Sequence, residues 1–200
     1  MKKLTLLLLA TLCLSLNTQA QKIKLIIDAA HGGQDAGATA VLTADKESDL
    51  CLQFAQALQE EAQKKEIEVV MVRSEDEYVA LQDRNNNQPE DGVKSYYISF
   101  HMNAGTTGNE RGAAIQYNGK SPHADQLKQL ADKLKAGFNR INLIGTLVND
   151  NCGAMVIKNS QIPAVLIEPG YITNNEDLRS LKEKSTQQEI AMLIVKAITE

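Results

Sequence analysis

Along this chain short apolar runs alternate with longer stretches of helical period. Lys24–Asp28 (KLIID) is apolar at nearly every position, the pattern of a strand covered on both faces. A glycine-rich segment follows through Gly37. From Glu47 to about Lys65, apolar residues recur at Leu50, Cys51, Phe54, Ala55, Leu58 and Ala62, which predicts a helix. Ile67–Val72 reads as a second buried strand, and Val79, Leu81 and the polar stretch to Gln88 as a short helix ending near Pro89. Tyr96–Phe100 and Ala113–Tyr117 predict two more strands. Ser121-Pro122 marks a helix start, followed by the stripe Leu127, Leu130, Ala131, Leu134 and Phe138. Gly153–Ile157 and Pro163–Ile167 read as further strands. Ile190, Leu193, Ile194, Ala197 and Ile198 close the pattern as an amphipathic helix. The alternation predicts a three-layer α/β domain, with a mainly parallel twisted sheet of about six strands and helices on both faces.

Residues 1–20 do not fit that alternation. Lys2 and Lys3, the apolar stretch Leu4 to Leu16, and Thr18-Gln19-Ala20 read as a secretory signal peptide cleaved after Ala20. The stretch is too short to span a membrane, so stable membrane insertion is not expected. Cleavage would leave 180 residues, Gln21 to Glu200, enough for one domain with a sizeable core. The expected product is an exported monomer, periplasmic or extracellular. Without Lys2 and Lys3 the chain carries 19 basic and 25 acidic residues, a net charge of −6. No basic run stands out, which argues against nucleic acid as a partner. Cys51 and Cys152 remain. They could pair in an exported protein, but Cys51 lies on the apolar stripe of its helix and reads equally as a small buried hydrophobe.

Three of the predicted strands run into residues that bind metals or move protons. KLIID leads through Ala29-Ala30 to His31-Gly32-Gly33, YYISF runs into His101, and AVLI runs into Glu168. Parallel strands present their carboxyl ends along one edge, where open α/β sheets bind ligands. A catalytic zinc site needs about three nitrogen or oxygen ligands and one open position. His31 and His101 supply nitrogens, and Glu47, at the start of the first long helix, could aim a carboxylate at them. Each residue also has a plainer role: a hydrogen-bonded histidine, a first-turn carboxylate facing the helix dipole, or, for Glu168, a structural ion pair. A buried Glu168 would have a raised pKa, which suits a proton carrier. Asp28 and Asp35 flank the His31 loop and could orient an imidazole or merely form turns. Arg73 and Arg84 could meet substrate carboxylates, with structural salt bridges the default. Asn103 could contact substrate or shape its loop. His123, just inside a helix start, is assigned no role.

The blocks LIIDAAHGGQDAGA, KESDL, VVMVRSEDEYVALQDR, YYISFHMNAG, RGAAIQY and IPAVLIEPGYITNNEDL occur in this order across nearly the whole of residues 21–200. In content and order they resemble the zinc-dependent N-acetylmuramoyl-L-alanine amidases. The resemblance implies that His31, Glu47 and His101 hold one zinc ion and that Glu168 is the catalytic acid/base. It further implies a catalytic domain over 21–200 that hydrolyses the amide joining N-acetylmuramic acid to L-alanine in peptidoglycan or its fragments. A non-catalytic peptidoglycan-binding module and a zinc peptidase cutting stem peptides are the alternatives. Ala29-Ala30 stands where the family usually has Pro-Gly, Met102 where it has Ala, and Pro169-Gly170-Tyr171 where it has Leu-Gly-Phe. The segment between His101 and Arg111 is short, and no insertion of the kind that carries an occluding helix follows it. An open site that needs no activator is therefore expected.

Overall fold

The computed structural model describes residues 21–141, 143 and 145–200, so the signal-peptide reading of residues 1–20 lies outside the described residues. The elements in chain order are β1 (Lys22–Ala29), α1 (Glu47–Gln63), β2 (Glu68–Met71), a 3-10 turn (Leu81–Asp83), β3 (Val93–Phe100), β4 (Ala114–Tyr117), α2 (Ala124–Arg140), β5 (Leu147–Asn149), α3 (Met155–Lys158), β6 (Ala164–Glu168), α4 (Asn175–Lys182) and α5 (Lys184–Thr199). They form one six-stranded sheet in the order β2-β1-β3-β6-β4-β5. The strands β2, β1, β3 and β6 are mutually parallel. The β4–β5 pair is parallel within itself and runs antiparallel to β6.

Strand alternation divides the core into two unequal parts. Leu25, Ile27, Tyr96, Ile98, Phe100, Ile115, Val165 and Ile167 point to one face and join the larger cluster, which α1, α2 and α5 complete through residues such as Phe54, Leu134 and Ile194. The opposite face carries Ile26, Tyr97, Ala164 and Leu166, covered by Cys152 and by Val156 and Ile157 of the one-turn α3. The fold is the expected three-layer α/β arrangement, with one layer much thinner than the other. Cys51 and Cys152 are both buried and free, and they sit in different clusters.

Several elements differ from the expected ones. Gly153–Ile157 is not a strand: Met155–Lys158 forms helix α3 instead. A short apolar run buried against a sheet has no period that separates helix from strand. The outermost strand is Leu147–Asn149, whose half-exposed three residues give no alternation to read. β2 lies on the other edge and is half exposed rather than buried, with Val70 39% accessible. Only a single 3-10 turn forms between Val79 and Gln88. Helix α2 starts at Ala124, with His123 as its N-cap residue and Ser121 Oγ accepting from the His123 N–H at 3.2 Å. Helix α4 was not expected. Asn174 caps it, accepting from the N–H groups of Glu176 and Asp177, which are also its acidic first turn.

Candidate metal centre

The strand register brings the three runs to one level. Ala29 pairs with Phe100, and Phe100 with Ile167. Backbone bonds from Ala30 N–H to Phe100 O (3.1 Å) and from His101 N–H to Ile167 O (3.0 Å) carry the ladder one residue further. His31, His101 and Glu168 therefore leave the same edge of three adjacent parallel strands. Glu47 reaches that edge from the first turn of α1, because helical side chains lean toward their helix's N-terminus. The N–H groups of Glu47 and Ser48 donate to Ala38 O and Ala36 O, so the loop after His31 closes over the helix start.

Glu47 is 4% exposed and stands at the centre of the cluster. Its Oε1 lies 3.2 Å from His31 Nε2 and 3.1 Å from His101 Nδ1. Oε1 also accepts from the Met102 N–H at 3.0 Å, and Oε2 from the Ala38 N–H at 2.9 Å. One donor atom from each of His31, Glu47 and His101 lies within 4.8 Å of the others. Burial alone would raise the Glu47 pKa. The bonds to His101, His31, Met102 and Ala38 outweigh it and hold the carboxyl well below the usual range. Asp35 Oδ2 sits 2.9 Å from His31 Nδ1 and fixes the ring so that Nε2 faces the centre. Of the two flanking aspartates, Asp35 orients the imidazole, whereas Asp28 is buried against Arg84 and Ser99.

The backbone here admits little variation. Gly37 has φ +65°, and a Cβ there would come within 2.6 Å of His31 Cδ2 and 2.7 Å of Glu47 Oε2. His31 itself adopts φ +59°. Two arginines hold that turn. Arg73, 1% exposed, donates to the carbonyls of Ala29, Ala30, Ser48 and Glu75. Arg84 donates to Ala29 O and His31 O, and pairs with Asp28 at 2.8 Å. Both are structural, but Arg73 binds backbone carbonyls where a salt bridge was the expectation. We expect Arg73→Met to orphan buried carbonyls at a cost of about 3 kcal/mol or more, read as a fall of roughly 6–12 °C in Tm by thermal denaturation. A fall below about 2 °C would contradict that role.

Glu168 is partly buried at the end of β6, and its Oε2 accepts from Gln116 Nε2 at 2.8 Å. Burial raises its pKa above the ordinary carboxylate value, and Gln116 offsets part of the rise. No arginine or lysine pairs with it among the described residues, so the ion-pair reading fails. A cleft of about 340 Å³ opens beside the cluster, lined by His31, Asp35, Tyr78, Leu81, His101 and Met155. Asn103 ties its own loop to the segment after β6: its N–H donates to Gly170 O, and its carbonyl accepts from Ile172 N–H. His123 lies outside the cluster and contacts Gln161 O. Sequence reasoning missed Gln116, which sits two positions from Glu168 in the β4–β6 register with only its strand alternation as a signal.

An open α/β sheet with two imidazoles and a carboxylate at its switch edge, and beside them a partly buried carboxyl with no cationic partner among the described residues, has the layout of a metal-dependent hydrolase. A model of the N-acetylmuramoyl-L-alanine amidase family matches residues 25–200, and the chain belongs to that family. The probable cell wall amidase LytH of Staphylococcus aureus is 30% identical over 172 residues, covering 86% of this chain and 55% of the relative. The chain thus spans about half the length of the curated relatives it matches. Among solved structures, the N-acetylmuramoyl-L-alanine amidase of Clostridium difficile 630 is 28% identical with a TM-score of 0.74, covering 89% of this chain and 95% of that one. The catalytic domain of CwlV from Bacillus (Paenibacillus) polymyxa var. colistinus shares the fold, with a TM-score of 0.76 at 23% identity over 89% of this chain and 96% of that one.

Proposed function

We propose that this chain hydrolyses the amide joining N-acetylmuramic acid to L-alanine in peptidoglycan or its fragments, using one zinc ion held by His31, Glu47 and His101. The observation that carries the reading is the convergence of those three donors beside an unpaired, partly buried Glu168. The donor set fits zinc. Two imidazole nitrogens and one carboxylate oxygen leave a coordination position free, and Asp35, Met102 and Ala38 brace the ligands from outside. Bound there, zinc supplies a Lewis acid that makes water a better nucleophile and polarises a carbonyl.

The chain's own residues do the rest. Glu168 takes a proton from the attacking water as the water oxygen bonds to the amide carbon. The carbon–nitrogen bond then breaks, and Glu168 returns the proton to the departing nitrogen. The products are a lactyl carboxylic acid and a peptide with a free amino terminus. Exposed Tyr78, Leu81 and Met155 give the cleft an apolar wall beside His31 and His101. No helix among the described residues is long and apolar enough to cross a membrane. Residues 1–20 support export as a signal peptide, and 21–200 act as one catalytic domain, a monomer outside the cytoplasm. The imidazole side chains remain 23% and 27% accessible, which supports a site that works without an activator.

Digestion of purified sacculi by the zinc-loaded protein, with mass spectrometry of the soluble products, tests the reading. Intact stem peptides beginning at L-alanine are expected, with no second protein added. Fragments cut within the stem would mark a peptidase, no release would mark a binding module, and release only after adding a partner would overturn the open site.

A further inference from the structure

The hydrogen-bond chain behind Glu168 has a fixed direction. Asn149 Oδ1 accepts from the backbone N–H of Asn151 at 3.0 Å, and a backbone N–H can only donate. Asn149 Nδ2 therefore faces Gln116, where it donates to Oε1 at 3.1 Å. That leaves Gln116 Nε2 to donate to Glu168 Oε2 at 2.8 Å. Sheet register builds the chain: Gln116 lies opposite Asn149 across β4–β5, and opposite Leu166, two residues before Glu168, across β4–β6. All three side chains emerge on the face with the thinner cover.

We infer that Gln116 is a positioning residue: its amide commits Oε2 of Glu168 as an acceptor and leaves Oε1 as the oxygen that takes and returns the proton. The inference rests on the proposed role of Glu168 and adds which of its oxygens works. A donor to the carboxylate also favours the ionised form, so Gln116 limits the effect of burial and favours the state of Glu168 that accepts a proton. Without Gln116 the carboxyl turns freely and is protonated more easily. The other titratable groups acting on this carboxyl are His101, Glu47 and Cys152.

The test compares wild type with Gln116→Leu and Gln116→Glu, all zinc-loaded. Leu removes the donor at similar volume, and Glu sets a second carboxyl against the first. The Glu168 carboxyl is titrated directly by carbon NMR, and kcat and KM are measured against pH on a soluble muramyl peptide. Gln116→Leu is expected to raise the Glu168 midpoint by about one unit and to lower kcat by about tenfold at its optimum, with KM and zinc content unchanged. Gln116→Glu should raise the midpoint further. Wild-type midpoints in both variants, or an effect on KM alone, would overturn the inference. Midpoints shifted in the variants, with a wild type that hydrolyses nothing, would leave Gln116's hold on the carboxyl standing and sink the hydrolysis instead.

Discussion

Glu168→Gln is expected to keep the fold and the zinc while hydrolysis falls by about 10²–10⁴-fold, the range of a lost general acid/base. The amide cannot exchange a proton at neutral pH, but it keeps the volume and an oxygen that can accept from Gln116. Stability gives an independent check, and its sign follows from burial. Glu168 has a raised folded-state pKa, so it stabilises the fold only while protonated, below its unfolded pKa, and that contribution disappears as pH rises through the folded pKa. Above the folded-state pKa the ionised carboxyl is a cost, and there a neutral amide leaves Tm unchanged or higher. A carboxylate kept for a structural ion pair would show the reverse, with Tm falling on substitution. Retained hydrolysis in Glu168→Gln would remove this residue from the mechanism altogether.

The second large effect is expected at Glu47. Glu47→Ala should abolish zinc binding, with metal stoichiometry falling from one per chain to near zero. Its loss should exceed the ~10–100-fold drop typical of losing a partner outside the ligand shell. The same change strips the Ala38 and Met102 N–H groups of their acceptors. Two orphaned donors cost about 2–6 kcal/mol, so the metal-free variant should also melt earlier by several degrees. Glu47→Gln separates the two effects. It keeps an acceptor for one N–H group and removes the charge, so metal loss should outlast most of the recovered stability. A variant that lost stability but kept its zinc would place the ligand elsewhere.

Why these positions were legible in advance is a matter of strand geometry. A parallel strand covered on both faces is apolar throughout, so a polar residue that ends such a run stands out. His31, His101 and Glu168 were visible for that reason. Glu47 was visible as a first-turn carboxylate, although its burial depends on the loop Ala36–Ala38 folding over the helix start and on His31, His101 and Met102 closing around it. What stayed hidden depends on contacts distant in sequence. Gln116 looks like any polar residue of a short strand until β4 pairs antiparallel with β6 and sets it beside Glu168. Arg73 reads as a candidate for ion pairing, and its actual task, holding carbonyls more than forty residues away, has no local signature. The edges failed for a related reason. β5 is three residues long, and Val156-Ile157 packs a helical turn where a strand would bury the same side chains. Asn174 before Glu176 and Asp177 was readable as a helix cap, and α4 is the one element that local chemistry could have supplied.

The central claim is that one metal ion sits among His31, Glu47 and His101. X-ray data collected across the zinc absorption edge from crystals of the zinc-loaded protein test it most directly. One anomalous peak per chain is expected, bounded by His31 Nε2, the Glu47 carboxylate and His101 Nδ1, with Glu168 outside the coordination shell. A peak elsewhere, no peak at full zinc occupancy of the solution, or Glu168 bound to the metal would contradict it.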